Sequence, residues 1–162
     1  MAKSLVTESA EDLFYRAEED IIAVKELLGG VFYPADRKYN IIYFHATQAV
    51  EKFLKGYIIS KGKNIKKAHD LDYIQKIATE TDISFSKVRN DCIILNDFLP
   101  NIKYNSKNPI TKNNINKIIK SLDTICNFPP IKTMRDLFAQ KHKYEIVSEI
   151  TTTPARSGNG KK

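Results

Sequence analysis

Apolar residues recur at helical spacing near the start of the chain. Five of them follow steps of four, four, three and four: Leu13, Ala17, Ile21, Val24 and Leu28. This is the pattern of one face of an amphipathic α-helix, and Ser9 or Thr7 can cap its start. Gly29 and Gly30 predict its end, because glycine accepts the left-handed conformation found at helix C-termini.

A second, longer apolar run predicts a helix from about Asn40 to near Gly62. Its main stripe consists of Ile42, Ala46, Ala49, Phe53 and Tyr57, and Val50, Leu54 and Ile58 widen it. A broad stripe is expected where a helix touches several neighbours. The sequence therefore predicts that this helix is the central one.

Two shorter helices are predicted next. The third begins at His69-Asp70-Leu71, where Asp70 can act as the cap, and its inward residues are Leu71, Ile74 and Ala78. The fourth can be capped by Ser84 or Ser86. Its apolar positions alternate in steps of three and four: Phe85, Val88, Cys92, Leu95 and Leu99.

Thr111 can cap a fifth helix that ends at Pro129-Pro130. Its apolar residues are Ile115, Ile118, Leu122 and Ile125. One further short helix is indicated by Met134, Leu137 and Phe138, whereas residues 151–162 have almost nothing to bury and are expected to be disordered. No alternation typical of strands is present. The chain is predicted to be an all-α, up-and-down antiparallel bundle of about five helices at 1–128, with an extension at 129–150 and a tail at 151–162.

Composition agrees with one soluble domain. The chain has 162 residues, of which 42% are hydrophobic and 28% charged. It contains neither an apolar run of about 18 residues nor a signal-peptide core of about 7–15 residues. Cys92 and Cys126 fall on apolar positions, so we expect reduced core cysteines and a cytoplasmic location.

Charge is distributed unevenly along the sequence. Residues 1–51 contain five basic and nine acidic residues, whereas residues 52–122 contain fourteen basic and six acidic ones. A basic middle suits a polyanionic ligand or an acidic protein partner. The alternative is a lysine-rich face that is only solvated.

Helix two carries candidate ligand-binding side chains on the side predicted to face outward. Gln48, Lys52 and Lys55 are separated by steps of four and three, so they share a face that can present donors to phosphate. The alternative is a solvated surface on which Glu51 pairs with Lys55 at the i, i+4 spacing.

The turn KGKNIKKAHD extends this candidate patch. It supplies Lys63, Lys66, Lys67 and His69 as possible phosphate-binding residues. Further along, Tyr104 can stack on a base, with Lys103 beside it for phosphate. A solvated loop and a packing tyrosine are the alternatives.

Metal and cofactor chemistry have no local support in the sequence. His45, His69 and His142 do not form a metal-ligand pattern, and no Cys-x-x-Cys, HExxH, P-loop, GxSxG or GxGxxG motif occurs. We therefore expect neither a metal nor a cofactor.

Three segments together resemble the HEPN family, whose name abbreviates higher eukaryotes and prokaryotes nucleotide-binding. They are FHATQAVEKFLKGYI at residues 44–58, AHDLDYI at 68–74 and LNDFLPNIKY at 95–104. The resemblance implies a helical bundle, dimerisation and association with nucleotides or RNA. Many members of the family act beside a minimal nucleotidyltransferase, as toxin and antitoxin or as a two-part transferase.

Catalytic HEPN members are metal-independent ribonucleases with an Arg-x(4–6)-His motif. In this sequence Arg89 has no histidine at that spacing, and Lys103 stands where relatives often have the arginine of Arg-Tyr-Pro. Arg135 and His142 match the motif literally, but they follow the proline break, outside its usual position.

The resemblance therefore predicts a dimeric binding module without ribonuclease activity, partnered by a nucleotidyltransferase. Helix four and residues 101–109 are the candidate dimer contact. The alternatives are an active ribonuclease toxin using Arg135 and His142, and a structural helical adaptor.

Overall fold

The computed structural model describes residues 4–30, 35–98 and 110–152, and of residues 35–37 and 144–152 it describes only the backbone. The helices are α1 (Ala10–Gly29), α2 (Ala35–Ser60), α3 (Leu71–Thr81), a 3₁₀ helix (Ile83–Val88), α4 (Arg89–Asn96), α5 (Lys112–Asn127) and α6 (Pro129–Thr152). Extended pairing within these ranges amounts to one isolated antiparallel bridge, between Leu5 and Lys66. The predicted all-α helical bundle is confirmed.

α2 is the centre of the bundle, as its broad apolar stripe predicts. It contacts each of the other α-helices of the described chain, and Ala46, Ala49 and Phe53 on it are fully buried. α1 packs along it in the opposite direction, because Phe14 near the start of α1 meets Phe53, whereas Asp20 further along meets His45.

Three helices begin at the polar residues that the sequence indicates as caps. The Ser9 hydroxyl accepts a hydrogen bond from the Asp12 N–H at 3.0 Å at the start of α1. Asp70 does the same for the start of α3, and Thr111 forms a reciprocal capping box with Asn114 at the start of α5. Each such cap contributes about 1 kcal/mol, because it satisfies backbone donors that the helix leaves free.

The left-handed glycine and the start of α2 differ from the prediction. α1 ends at the expected glycines, but Gly30 has a φ of −81° and is extended rather than left-handed. The left-handed glycine is Gly62, with a φ of 75°, after the end of α2. α2 begins at Ala35, earlier than about Asn40, because periodicity marks only the part of a helix that is buried.

The region before α4 is wound more tightly than predicted. The 3₁₀ helix is capped by Asp82, which accepts from the Ser84 N–H at 2.9 Å, so neither Ser84 nor Ser86 is the cap. Phe85 and Val88 lie three residues apart and are both buried, which fits the three-residue turn of a 3₁₀ helix. Leu99, predicted to continue this stripe, lies outside the described residues.

The last helix is much longer than the short one predicted. α6 spans 24 residues, and Pro129 and Pro130 form its first turn, where a missing N–H costs nothing. Phe138 packs on the ring of Phe14, whereas the neighbouring Leu137 is 55% exposed, because only a narrow face of α6 contacts the bundle. The division into 1–128 and 129–150 stays a prediction. The helix includes Thr151 and Thr152, and the rest of the tail lies outside the described residues.

The cysteines occupy the core as predicted. Cys92 and Cys126 are both free and buried. Burial raises the pKa of the Cys92 thiol to about 12 and that of the Cys126 thiol to about 11, since an uncharged thiol is favoured away from water. Among the described helices, none combines the length and apolar character needed to cross a membrane.

Candidate functional site

Two charged residues of α2 are buried rather than outward-facing. Glu51 is 6% exposed and Lys55 is 5% exposed, and Lys55 Nζ lies 2.7 Å from Glu51 Oε1. The i, i+4 pair expected from the sequence is present, but the expected solvated surface is wrong for these two residues. The N-terminal segment and the turn after α2 cover this face of the helix, which local periodicity does not reveal.

The pair lies at a cavity of about 290 Å³ between α1, α2, the N-terminal segment and the turn before α3. The lining residues are Val6, Glu8, Leu13, Arg16, Gln48, Glu51, Lys52, Lys55, Lys67 and His69. Five candidates from the sequence therefore share one cavity: Gln48, Lys52, Lys55, Lys67 and His69. Whether they bind a ligand stays a prediction.

Glu51 organises the polar side of the cavity. Nδ1 of His69 lies 3.1 Å from each Glu51 carboxylate oxygen, and Gln48 Nε2 donates to Glu51 Oε2 at 3.5 Å. Lys55 Nζ donates to Oε1. The carboxylate therefore has partners from α2 on both sides of Glu51 and from the segment that leads into α3. A buried carboxylate needs such partners, and here they fix the lysine and the histidine around the cavity.

A second buried carboxylate joins α1 to α2. Asp20 is 8% exposed; its Oδ2 accepts a hydrogen bond from Lys52 Nζ, and its Oδ1 lies 2.7 Å from His45 Nδ1. Asp20 is not among the sequence candidates. The available signal is its position three residues after Ala17 and beside Ile21, which places it at the edge of the apolar stripe.

The cavity carries more positive than negative charge. Arg16, Lys52, Lys55 and Lys67 line it, against the carboxylates of Glu8 and Glu51. Arg16 and Glu8 were missed from the sequence, because nothing local indicates that the start of α1 folds against the turn after α2. A net positive cavity with low-dielectric walls attracts anions. We refer to it below as the basic cavity.

Neighbouring lysines of the turn face different surroundings. Lys67 and His69 line the cavity, whereas Lys66 lines a separate one of about 340 Å³ with Ala68 and Asp70. This alternation is the two-residue period of extended backbone. The structure therefore does not bring Lys66 and Lys67 to the same cavity, and whether either of them binds phosphate stays a prediction.

Other predicted contact residues lie away from the cavity. Lys63 is not among its lining residues; its Nζ donates to the carbonyl of Glu80 at 3.1 Å. Lys103, Tyr104 and the rest of the candidate dimer loop at 101–109 lie outside the described residues.

Arg135 and His142, the literal match to the ribonuclease motif, do share a cavity. It has a volume of about 250 Å³ between α1 and α6, and its lining residues are Glu11, Phe14, Tyr15, Glu18, Arg135, Phe138, Ala139 and His142. The His142 ring meets the Tyr15 ring edge-on at 5.4 Å between centroids. Aromatic side chains make up much of this wall.

The guanidinium of Arg135 is engaged by the protein itself. Nε and Nη2 bond to the two carboxylate oxygens of Glu18, the second at 3.0 Å, and Nη1 donates to the carbonyl of Cys126 at 3.1 Å. These contacts raise the pKa of Arg135, first through the hydrogen bonds with Glu18 and against the opposing effect of burial. A phosphate would have to displace Glu18 to accept hydrogen bonds from both Nε and Nη2 of Arg135.

The remaining candidate, Arg89, is the first residue of α4 and is exposed. It lines neither of the two cavities, and His45 and His69 are engaged with Asp20 and Glu51. Over the residues that the structure describes, no group of three or more His, Cys, Asp or Glu side chains is arranged to hold a metal ion.

Comparison with protein families gives one match. The model of the HEPN domain matches residues 10–132, which include α1 to α5, the start of α6 and all residues of the basic cavity except Val6 and Glu8. Searches of curated proteins and of solved structures gave no match.

Proposed function

This chain belongs to the HEPN family of nucleotide- or RNA-related modules, and from that premise we propose that the basic cavity binds a phosphate group of a nucleotide or an RNA. The bound phosphate would lie among Lys52, Lys55, Lys67 and His69. The protein acts in this proposal as a binding module and not as a ribonuclease.

The observation that carries the proposal is the buried ammonium group of Lys55. An ammonium group has three N–H donors, and within the described part of the chain Lys55 donates to Glu51. A lysine is almost never buried unless it is paired. Lys55 has its partner in Glu51 and is at the same time one of the residues that line the cavity. In surroundings poorer in water, its remaining donor capacity binds an anion more strongly than an exposed lysine does.

Substitution of two adjacent lysines tests the proposal. Lys67→Ala should weaken binding of a nucleotide or a short RNA by about tenfold, because a charged hydrogen-bond donor is lost. Lys66→Ala removes the same charge one residue away on the other side of the turn, so it should leave the dissociation constant within about twofold. Equal effects of the two substitutions, or no binding by the unsubstituted protein, would contradict the proposal.

We also propose that the module acts as a dimer beside a minimal nucleotidyltransferase, as its family resemblance implies. On α4, part of the candidate dimer contact, Ile93 is 37% exposed and available for packing. Light scattering at micromolar concentration checks the dimer: an 18.5 kDa species alone would contradict it. Co-purification with the product of an adjacent reading frame checks the nucleotidyltransferase.

A ribonuclease is the second candidate function, because Arg135 and His142 line the same cavity. We favour the binding module over the ribonuclease, because Arg135 is already bound by Glu18. The third candidate, a structural adaptor, would be favoured if the protein bound neither nucleotides nor RNA while still forming a complex with a protein partner.

A further inference from the structure

The N-terminal segment Ser4–Glu8 is fixed against the turn that precedes α3. The N–H of Val6 donates to the carbonyl of Ile65 at 2.9 Å, and the N–H of Lys67 donates to the carbonyl of Ser4 at 2.8 Å. Val6 is half-buried and packs against the core. These contacts hold Glu8 at the wall of the basic cavity.

Glu8 supplies a negative charge of the protein's own to this cavity. Its carboxylate accepts a hydrogen bond from the Thr7 N–H at 3.2 Å. The pKa of Glu8 is lowered, first by hydrogen bonding with its own backbone N–H, and further by the Thr7 N–H and the charges of Lys67 and Arg16, against the opposing effect of partial burial. The carboxylate is therefore ionised at neutral pH, and it shares the cavity wall with Lys67 and Arg16.

Four cations of the protein line a single cavity: Arg16, Lys52, Lys55 and Lys67. Proteins that hold single-stranded RNA along its length use a groove with charges spaced along the backbone. Here the neighbouring turn lysines that would extend such a track, Lys63 and Lys66, lie elsewhere. A volume of about 290 Å³ is just below the range for drug-sized ligands, roughly 300–1,000 Å³, so the cavity suits a small group.

We propose that the cavity takes a terminal phosphate monoester, the end of a nucleotide or of an RNA strand, and that this phosphate displaces the side chain of Glu8. The inference rests on the proposed function, since it concerns the same cavity. Two of the lysines that line the cavity, Lys52 and Lys55, already have carboxylate partners, Asp20 and Glu51 respectively.

Charge explains why a terminal phosphate is favoured. Glu8 supplies one negative charge to the cavity wall that it shares with the two cations Arg16 and Lys67. A phosphate monoester carries about −1.5 to −2 at neutral pH, so it compensates both cations better than the carboxylate does. An internal phosphodiester carries a single charge and has no such advantage over Glu8.

Matched RNA ligands test the class of phosphate. We would titrate the whole protein with one short RNA carrying either a 5′-phosphate or a 5′-hydroxyl, and with adenosine monophosphate and adenosine. The phosphorylated member of each pair should bind at least about tenfold more tightly. Binding of the monophosphate but not of the phosphorylated RNA would support the inference and identify the source as free nucleotide.

A carboxylate-to-amide substitution tests the displacement. Glu8→Gln removes the competing charge with nearly the same shape, so it should tighten binding of the monophosphate by about fivefold. Glu26→Gln is the control, because it makes the same charge change on an exposed residue about 15 Å along α1 from Arg16. Unchanged or weaker binding by the Glu8→Gln protein would overturn the displacement.

The same experiments separate this inference from the proposed function. Equal affinity for 5′-phosphate and 5′-hydroxyl RNA, lost in both cases on Lys67→Ala, would overturn the terminal-phosphate inference while supporting the phosphate-binding cavity. Absence of any binding that depends on Lys67 would overturn both.

Discussion

Gly56 on α2 lies directly against the ring of Phe14 on α1. A Cβ atom at Gly56 would be 2.6 Å from Phe14 Cδ2 and 3.3 Å from the carbonyl oxygen of Ala10. Phe14 itself is fully buried between Phe53 and Phe138. The glycine is therefore the feature that lets the start of α1 approach α2, and this approach also brings the N-terminal segment to the basic cavity.

Gly56→Ala should destabilise the protein by about 1–3 kcal/mol, the usual cost of overpacking a core. The Phe14 ring packs on Phe53 and Phe138, and a shift away from Gly56 would disturb both ring contacts. The clash should therefore outweigh the gain of about 1 kcal/mol that alanine brings to a helix interior. Chemical denaturation measures the loss as a lower midpoint. Gly29→Ala is the control, since a Cβ there meets nothing within 4 Å; equal stability of the two variants would contradict the close-approach argument.

Helices with their own caps and stripes were predictable from the sequence. Ser9, Asp70 and Thr111 mark helix starts through hydrogen bonds to residues two or three positions away, so local sequence contains the whole signal. The length of α6 was not predictable in this way. Its inner face is defined by partners on α1, and a helix that touches its neighbours along a narrow strip shows only a weak apolar pattern.

The site was predictable only in part, for a similar reason. The spacing of Gln48, Lys52 and Lys55 places them on one face, and the structure gathers them at one cavity. The burial of Lys55 and the presence of Glu8 depend on contacts between segments far apart in sequence. The separation of Lys66 from Lys67 depends on the turn being extended, which a lysine-rich sequence does not specify.

Lys55→Met should destabilise the protein by about 3–5 kcal/mol, the range found when one partner of a buried ion pair is removed. The loss arises mainly because Glu51 keeps a buried charge without its lysine. Urea denaturation of Lys55→Met, of Glu51→Gln and of the double variant measures the coupling energy between the two side chains. The double variant should be more stable than the sum of the single losses predicts; strict additivity would contradict the buried pair.

Cys92 and Cys126 should react very slowly with a thiol reagent in the native protein. The thiolate is the reactive form, and with pKa values raised to about 12 and about 11 almost none is present at pH 8. Absorbance of the released reagent anion measures the rate. The same protein in denaturant is the control, and it should release two equivalents rapidly; fast reaction under native conditions would show that these thiols are accessible.

Binding of nucleotides or RNA should weaken steeply as salt rises, because each phosphate contact releases counterions. The slope of the logarithm of the binding constant against the logarithm of salt concentration should fall by about one on Lys67→Ala. Lys63→Ala should leave the slope unchanged, since Lys63 contacts the carbonyl of Glu80 away from the cavity. A salt-independent affinity would indicate that the lysines are only solvated.

The purified protein should not cleave RNA. A metal-independent ribonuclease needs a cation placed at the phosphate and a group that exchanges protons near neutral pH. Arg135 has the required charge, but Glu18 and the carbonyl of Cys126 occupy its guanidinium. Arg89 would need His45 or His69 as its proton-exchanging partner, and these are engaged with Asp20 and Glu51.

A gel assay of end-labelled RNA in the presence of a chelator measures this activity. Arg135→Ala and His142→Ala proteins, purified in the same way, are the controls for contaminating nucleases, which would cleave equally in all three samples. Cleavage by the unsubstituted protein that disappears in either variant would establish the ribonuclease and require Glu18 to release Arg135 when RNA binds. Cleavage lost instead on Arg89→Ala or His69→Ala would place the catalytic site at α4 and the turn before α3, and the binding-module proposal would then be wrong.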